Sequence, residues 1–82
     1  MTDTNKLELL TTRDCSLCDK ALDYLLGSAA LAGWSIRTVD VAYDDGLLHT
    51  FGEKIPVLRC GQALLYWPFD EQALSAWLSN LA

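Results

Sequence analysis

The order of hydrophobic patterns in the first half of the chain constrains its fold more than any other feature. Within residues 6–11, Leu7, Leu9 and Leu10 are too continuous for a strand with one solvent-exposed face, so they predict a central strand covered on both sides. Residues 16–32 repeat apolar side chains at helical spacing and stop before Gly33, while residues 34–41 have the β-branched and aromatic content of a second strand. A helix between two strands predicts a right-handed βαβ unit with parallel strands.

The second half predicts a short helix, a hairpin and a final helix. The short helix ends near Phe51. Two short apolar runs at 54–58 and 63–67 flank Gly61 and predict a β-hairpin. Asp70 precedes a helical apolar stripe and is its predicted cap. The predicted order is therefore β-α-β-α-β-β-α.

Length and charge narrow the classes of protein that remain. Eighty-two residues predict one domain over residues 1–82. A net charge of −5 disfavours nucleic acid and anionic membrane surfaces as partners. No run approaches the ~20 apolar residues of a membrane span, and the polar N-terminus shows no signal peptide. Three cysteines, an odd number, favour a reducing compartment, so we expect a cytoplasmic protein, monomeric by default.

Cys15 and Cys18 carry the chemistry that the sequence predicts. Residues three apart in the first turn of a helix share a face, with Cβ atoms about 5–6 Å apart, which suits a disulfide. The helix start stabilises negative charge, and the thiolate is the reactive form of cysteine. The pair predicts dithiol exchange, in which Cys15 attacks a substrate disulfide and Cys18 resolves the mixed disulfide.

Two other interpretations of this cysteine pair stay open. In the first, both cysteines are small buried hydrophobic residues, a common role for cysteine. Half of a zinc site is the other interpretation, although only Cys60 and His49 remain as further ligands of the usual kinds. Cys60 itself is interpreted as structural, on the same strand face as Leu58. We expect no metal at this site.

At this point the chain resembles the small glutaredoxin-like proteins of the thioredoxin superfamily. The resemblance rests on the Cys15-x-x-Cys18 motif opening the first helix and on Ile55-Pro56 before the third strand. It implies an α/β, thioredoxin-like three-layer fold, with a four-stranded mixed sheet and helices on both faces. It also implies a cis bond before Pro56, in a loop facing the first cysteine. The backbone amide and carbonyl of Ile55 would then bind an extended substrate chain by strand addition.

The site implied by this resemblance departs from the usual glutaredoxin pattern. Ser16 and Leu17 stand between the cysteines, and the basic residue before them is Arg13, one place later than is common. Trp67 and its neighbours replace the usual Gly-Gly, so only Asp70 matches the glutathione-contacting segment. These five residues, with Ile55 and Pro56, are the candidate substrate contacts. Expected partners are protein disulfides, glutathione or both, with no bound cofactor and glutathione as one candidate reductant.

Two further functions compete with an oxidoreductase. One is a binding module on the same fold without redox turnover, which the intact cysteine pair argues against. The other is a metal or iron–sulfur carrier, since thiolates at this position can be ligands. The aromatic segment around Trp67 is interpreted as core packing, with an exposed docking patch for a protein substrate as the alternative.

Overall fold

The computed structural model describes residues 5–81. Its helices and strands follow the predicted order: β1 (Lys6–Thr11), α1 (Ser16–Leu26), β2 (Ser35–Asp40), α2 (Asp45–Phe51), β3 (Val57–Cys60), β4 (Ala63–Tyr66) and α3 (Glu71–Ser79). Two short 3₁₀ helices, at Ala29–Leu31 and Val41–Tyr43, lie on either side of β2. Within the described range no helix is long and apolar enough to cross a bilayer.

The four strands form one mixed sheet in the order β2-β1-β3-β4. β1 runs parallel to β2 and antiparallel to β3, and β3 and β4 form the hairpin. In register, Leu10 lies opposite Val39 on one side and Val57 on the other. The predicted parallel βαβ unit and the mixed sheet are both confirmed. The parallel pairing places the carboxyl ends of β1 and β2 at the same edge of the sheet.

Helices cover both faces of the central strand. Leu9 and Leu10 are each 0% exposed, and successive side chains of a strand point to opposite faces. Leu9 belongs to a cluster shared with α1 and α3, whose buried members also include Leu7, Leu25, Leu31, Leu58, Phe69 and Leu74. Leu10 packs on the other face with Val41 of the second 3₁₀ helix, Phe51 at the end of α2 and Val57 of β3. The predicted three-layer α/β arrangement is therefore confirmed.

The first helix is shorter than the 16–32 span predicted for it. It ends at Leu26, and Ser28 then caps the first 3₁₀ helix by accepting a hydrogen bond from the amide of Ala30 at 3.2 Å. The Ser28 hydroxyl also donates to Glu71 Oε1 at 2.9 Å, which ties this turn to the start of α3. Leu31, in this 3₁₀ helix, is still part of the core. The apolar spacing continued past the true helix end because the 3₁₀ turn also buries a leucine.

The third strand begins at Val57, directly after Ile55-Pro56 as the resemblance implied, so it includes only the last two residues of the apolar run 54–58. Pro56 has no N–H to give to a ladder, and the amide of Ile55 donates to the Phe51 carbonyl at 3.1 Å. The predicted hairpin is confirmed, with Cys60 opposite Ala63 across its turn. Gly61 has φ +61°, the left-handed conformation that tight hairpin turns require.

Candidate functional site

The two cysteines lie at the junction between β1 and α1. Asp14 has φ +55° and turns the chain after the strand, so that Cys15 becomes the N-cap of α1. The Cys15 Sγ accepts a hydrogen bond from the amide of Cys18 at 3.2 Å, and the Cys15 carbonyl accepts one from the amide of Asp19 at 3.1 Å. The two cysteines form a disulfide, with their Cα atoms 5.2 Å apart. The predicted spacing for a disulfide in the first helical turn is therefore confirmed.

The two sulfur-bearing residues differ in their access to solvent. Cys15 is half-buried, whereas Cys18 is 3% exposed and belongs to the buried face of α1. Solvent therefore has more access to Cys15 than to Cys18. On reduction, the amide of Cys18 already points at the Cys15 sulfur, and the unpaired amides of a helix start favour negative charge. This geometry favours negative charge on the Cys15 sulfur over the Cys18 sulfur.

The residues between and before the cysteines form the outer surface of the site. Ser16 and Leu17 are both exposed, Leu17 to 48%. Arg13 is exposed and its Nη2 donates to the hydroxyl of Tyr43 at 3.1 Å. Sequence reasoning missed Tyr43. The topology offers a signal for it, because residues after β2 must meet the β1–α1 loop at the shared edge of two parallel strands.

The peptide bond between Ile55 and Pro56 is cis, as the resemblance implied. Val57 pairs with Leu10, so the buried Pro56 enters the sheet at the same end as Thr11. The amide of Ile55 is already bonded to the Phe51 carbonyl. Of the two backbone groups expected to bind an extended substrate, the amide thus serves the chain itself.

Trp67 lies behind this loop in an aromatic cluster. Its amide donates to the Pro56 carbonyl at 3.3 Å, and its bond to Pro68 is a second cis peptide, which the sequence did not predict. Its ring meets Phe69 edge-on at 5.1 Å between centroids and Tyr24 at 6.2 Å. Trp67 is half-buried against the core, as the packing interpretation predicts.

Two acidic residues flank this cluster at the start of α3. Asp70 caps the helix as predicted, accepting a hydrogen bond from the amide of Ala73 at 2.8 Å. The Asp70 carboxylate therefore has a structural hydrogen bond, although the residue is exposed. Partial burial raises the pKa of the Tyr24 phenol, and the nearby carboxylates of Glu71 and Asp70 raise it further. Tyr24 accordingly stays neutral at physiological pH.

The remaining thiol lies away from the pair. Cys60 is free and half-buried at the end of β3, beside a groove of about 570 Å³ that also borders Lys6 and Glu8 at the start of β1. Cys15 follows the other end of that strand. His49, on α2, is exposed. Over residues 5–81 no three His, Cys, Asp or Glu side chains come together in a group that could hold a metal ion.

A mixed sheet between helices, with a cysteine pair opening α1 and a cis proline before β3, defines a redox-type protein of the thioredoxin-like class. The model of the glutaredoxin-like domain family (DUF836) matches residues 6–79, and the chain belongs to this family. Uncharacterised proteins of Mycobacterium tuberculosis and Mycobacterium bovis are 32% identical to it, over 87% of this chain and 79% of each relative.

Two solved structures are similar to this chain in fold and in sequence. The X-ray structure of the structural genomics target protein XcR50 from X. campestris has a TM-score of 0.76 and 38% identity, covering 93% of this chain and 99% of that chain. The solution structure of the same target has a TM-score of 0.75 and 35% identity, covering 93% and 95%. The similarity thus includes the fold and a substantial part of the sequence.

Proposed function

We propose that this protein is a thiol–disulfide oxidoreductase that reduces protein disulfides or mixed disulfides with glutathione through Cys15 and Cys18. The observation that supports this most is the difference between the two residues in one disulfide. Cys15 is half-buried at the N-cap of α1, and Cys18 is 3% exposed beneath it. One sulfur is placed to meet a substrate, and the other to complete the exchange from inside.

In the reductive half of the cycle the Cys15–Cys18 disulfide accepts two electrons. We propose glutathione as the reductant: its thiolate attacks the Cys15 sulfur, a Cys15–glutathione bond forms, and the Cys18 thiolate leaves and takes up a proton. A second glutathione thiolate then attacks the glutathione sulfur of this adduct. Glutathione disulfide departs, and Cys15 is left as the thiolate that the Cys18 amide stabilises.

In the oxidative half the Cys15 thiolate attacks a substrate disulfide. One substrate sulfur bonds to Cys15, and the other leaves as a thiolate. Cys18 then loses its proton and attacks the Cys15 sulfur, which closes the disulfide and releases the second substrate thiolate. The substrate gains the two electrons that glutathione supplied. Cys60 takes no part in this cycle, because it lies by the opposite end of β1.

The proposed chemistry also indicates the compartment in which the protein works. A dithiol that must be regenerated by glutathione works in a reducing compartment, and we place the protein in the cytoplasm. It acts as a monomeric single domain, with its partners bound one at a time at Cys15.

The test is a redox titration of the purified protein in glutathione buffers, read by alkylation and mass spectrometry. We expect a reversible two-electron Cys15–Cys18 couple at about −200 to −270 mV, the range of glutaredoxins and thioredoxins. Cys18→Ser should accumulate a Cys15–glutathione adduct, and Cys15→Ser should give neither adduct nor couple. Cys60→Ser is the matched control and should keep the couple. No exchange at Cys15 across the whole range would refute the proposal.

A further inference from the structure

The charged residues of the chain are divided between the two ends of the sheet. Three of its six cationic residues, Lys6, Arg37 and Arg59, border the groove at the amino-terminal end of β1, together with one carboxylate, Glu8. The cysteine pair follows the opposite end of β1. The net charge of −5 is therefore concentrated away from this groove.

Carboxylates gather around the cysteine pair instead. Asp14 directly precedes Cys15, and Asp19 lies in the first turn of α1. Asp40 pairs in register with Thr11, the last residue of β1. The hydrogen bond from Arg13 to Tyr43 brings the start of α2 to the same edge. The acidic rim defined by these positions comprises Asp14, Asp19, Asp40, Asp44 and Asp45.

Nearby cations do not cancel this charge. Arg13, Lys20 and Lys54 are the cations that neighbour the rim in the sequence. The five rim carboxylates outnumber them.

Part of the rim has no structural task. Asp40 and Asp44 accept hydrogen bonds from the amides that they cap, at 2.9 and 3.0 Å. Asp14, Asp19 and Asp45 are exposed, and within residues 5–81 their carboxylates make no hydrogen bond or ion pair. Their charge is consequently exposed to solvent and not neutralised by a partner among these residues.

We propose that the acidic rim makes the Cys15–Cys18 site selective for disulfides in cationic protein segments, flanked by lysine or arginine, and slow toward anionic glutathione disulfide. This inference rests on the function proposed above and names its substrate class; the same like charge slows the glutathione steps proposed there without changing the bonds that they form and break. Complementary charge raises encounter rates and like charge lowers them. In water, a unit charge about 8 Å from another changes a rate about twofold, so several rim carboxylates add to a clear preference.

The test compares three disulfides of different charge as oxidants of the reduced protein. Cystamine carries two ammonium groups, bis(2-hydroxyethyl) disulfide is neutral, and glutathione disulfide is a net dianion. Acid quenching, alkylation and peptide mass spectrometry give the rate of Cys15–Cys18 disulfide formation. Each rate is divided by that of N-acetylcysteine amide with the same reagent, which removes the intrinsic reactivity of the disulfide.

We expect the normalised rate with cystamine to exceed that with glutathione disulfide by about tenfold at low salt. The two rates should converge at 1 M salt, where the Debye length is about 3 Å. Equal normalised rates at low salt, or a faster reaction with glutathione disulfide, would overturn the substrate class and leave the oxidoreductase intact. Formation of no Cys15–Cys18 disulfide with any reagent would instead refute both proposals.

A pair of variants on one helix locates the effect. Asp19→Asn should lower the ratio of cystamine to glutathione disulfide rates about threefold at low salt. Asp23→Asn removes the same charge from an exposed position one turn further along α1, and should change this ratio less. Rates with the neutral disulfide correct for any change in Cys15 reactivity. Equal effects of the two variants would show that total charge, and not the rim, sets the preference.

Discussion

Replacing Glu8 with glutamine tests how the sheet is held at the end away from the cysteines. Glu8 on β1 lies opposite Arg37 on β2 and Arg59 on β3. Arg59 Nε donates to Glu8 Oε1 at 2.9 Å, and its Nη2 lies 2.7 Å from the same oxygen in an ion pair. Arg37 Nη2 donates to Oε2. One carboxylate thereby joins three strands.

The exposure of these side chains sets the size of the effect. The Glu8 and Arg59 side chains are 26% and 24% exposed, and that of Arg37 is 73% exposed. An exposed pair contributes about 0.2–1 kcal/mol, and a hydrogen bond to a charged group about 1.5–3 kcal/mol when less accessible. We expect Glu8→Gln to lower the free energy of unfolding by about 1–2 kcal/mol at pH 7. Most of this loss comes from the contact with Arg59.

The effect depends on pH in a defined direction. The hydrogen bond from Arg37 lowers the pKa of Glu8 below its ordinary value of 4.5; partial burial opposes this, and Arg59 adds to the lowering. Because the folded state then holds the proton less tightly than the unfolded state, the stabilisation is complete above the unfolded pKa. It is lost as the pH falls through the folded pKa. The difference between wild type and Glu8→Gln should therefore shrink below about pH 4.5.

Urea denaturation followed by far-UV circular dichroism measures this at pH 7 and pH 3. Arg59→Gln and Arg37→Gln are matched controls, and Arg59→Gln should cost more because its guanidinium is less exposed. A loss of stability in Glu8→Gln that is equal at both pH values would refute the electrostatic explanation. The glutamine would then be acting through packing or strand propensity.

Two further predictions concern packing and capping. Leu58→Ala should cost about 2–5 kcal/mol of unfolding free energy in urea denaturation, because Leu58 is 0% exposed, while Leu26→Ala, at a residue 69% exposed, should stay within about 0.5 kcal/mol. Similar losses for both would show that Leu58 is not in a close-packed core. Asp70→Ala should cost about 1 kcal/mol by removing the bond to the Ala73 amide, and Asp70→Asn should keep most of it, since asparagine caps equally well. A full loss with asparagine would mean that charge, and not the hydrogen bond, matters at this helix start.

The parts of the fold that the sequence predicted depend on local chemistry. Neighbouring residues predict the strand β1 and the helix cap at Asp70, and the structure confirms both. The predicted end of α1 was wrong because the apolar spacing continues past Gly27, the C-cap at which the helix ends. The hydrogen bond from Ser28 to Glu71, 43 residues further along the chain, was not predicted either. No local pattern reports a contact of that separation.

The candidate site divides in the same way. The disulfide geometry of Cys15 and Cys18 follows from helical spacing and was predicted. The Arg13–Tyr43 contact was not, since it joins two loops that only the parallel pairing of β1 and β2 brings together. The occupied amide of Ile55 also escaped prediction, because it depends on where α2 ends. Register and loop closure are tertiary properties, and they decide which groups remain available to a substrate.

The placement of charge along β1 argues that stability and redox chemistry are separable in this fold. Glu8 and its arginines hold the strands at one end, while Cys15 follows the other end. The redox equilibrium depends on the difference between the oxidised and reduced folded states, and the Glu8 contacts lie at the end of β1 away from the disulfide. Glu8→Gln should therefore destabilise the protein yet leave its Cys15–Cys18 equilibrium with glutathione unchanged. A shift in that equilibrium constant beyond roughly twofold, measured by the same titration, would show that the ion-pair network and the disulfide are coupled through the central strand.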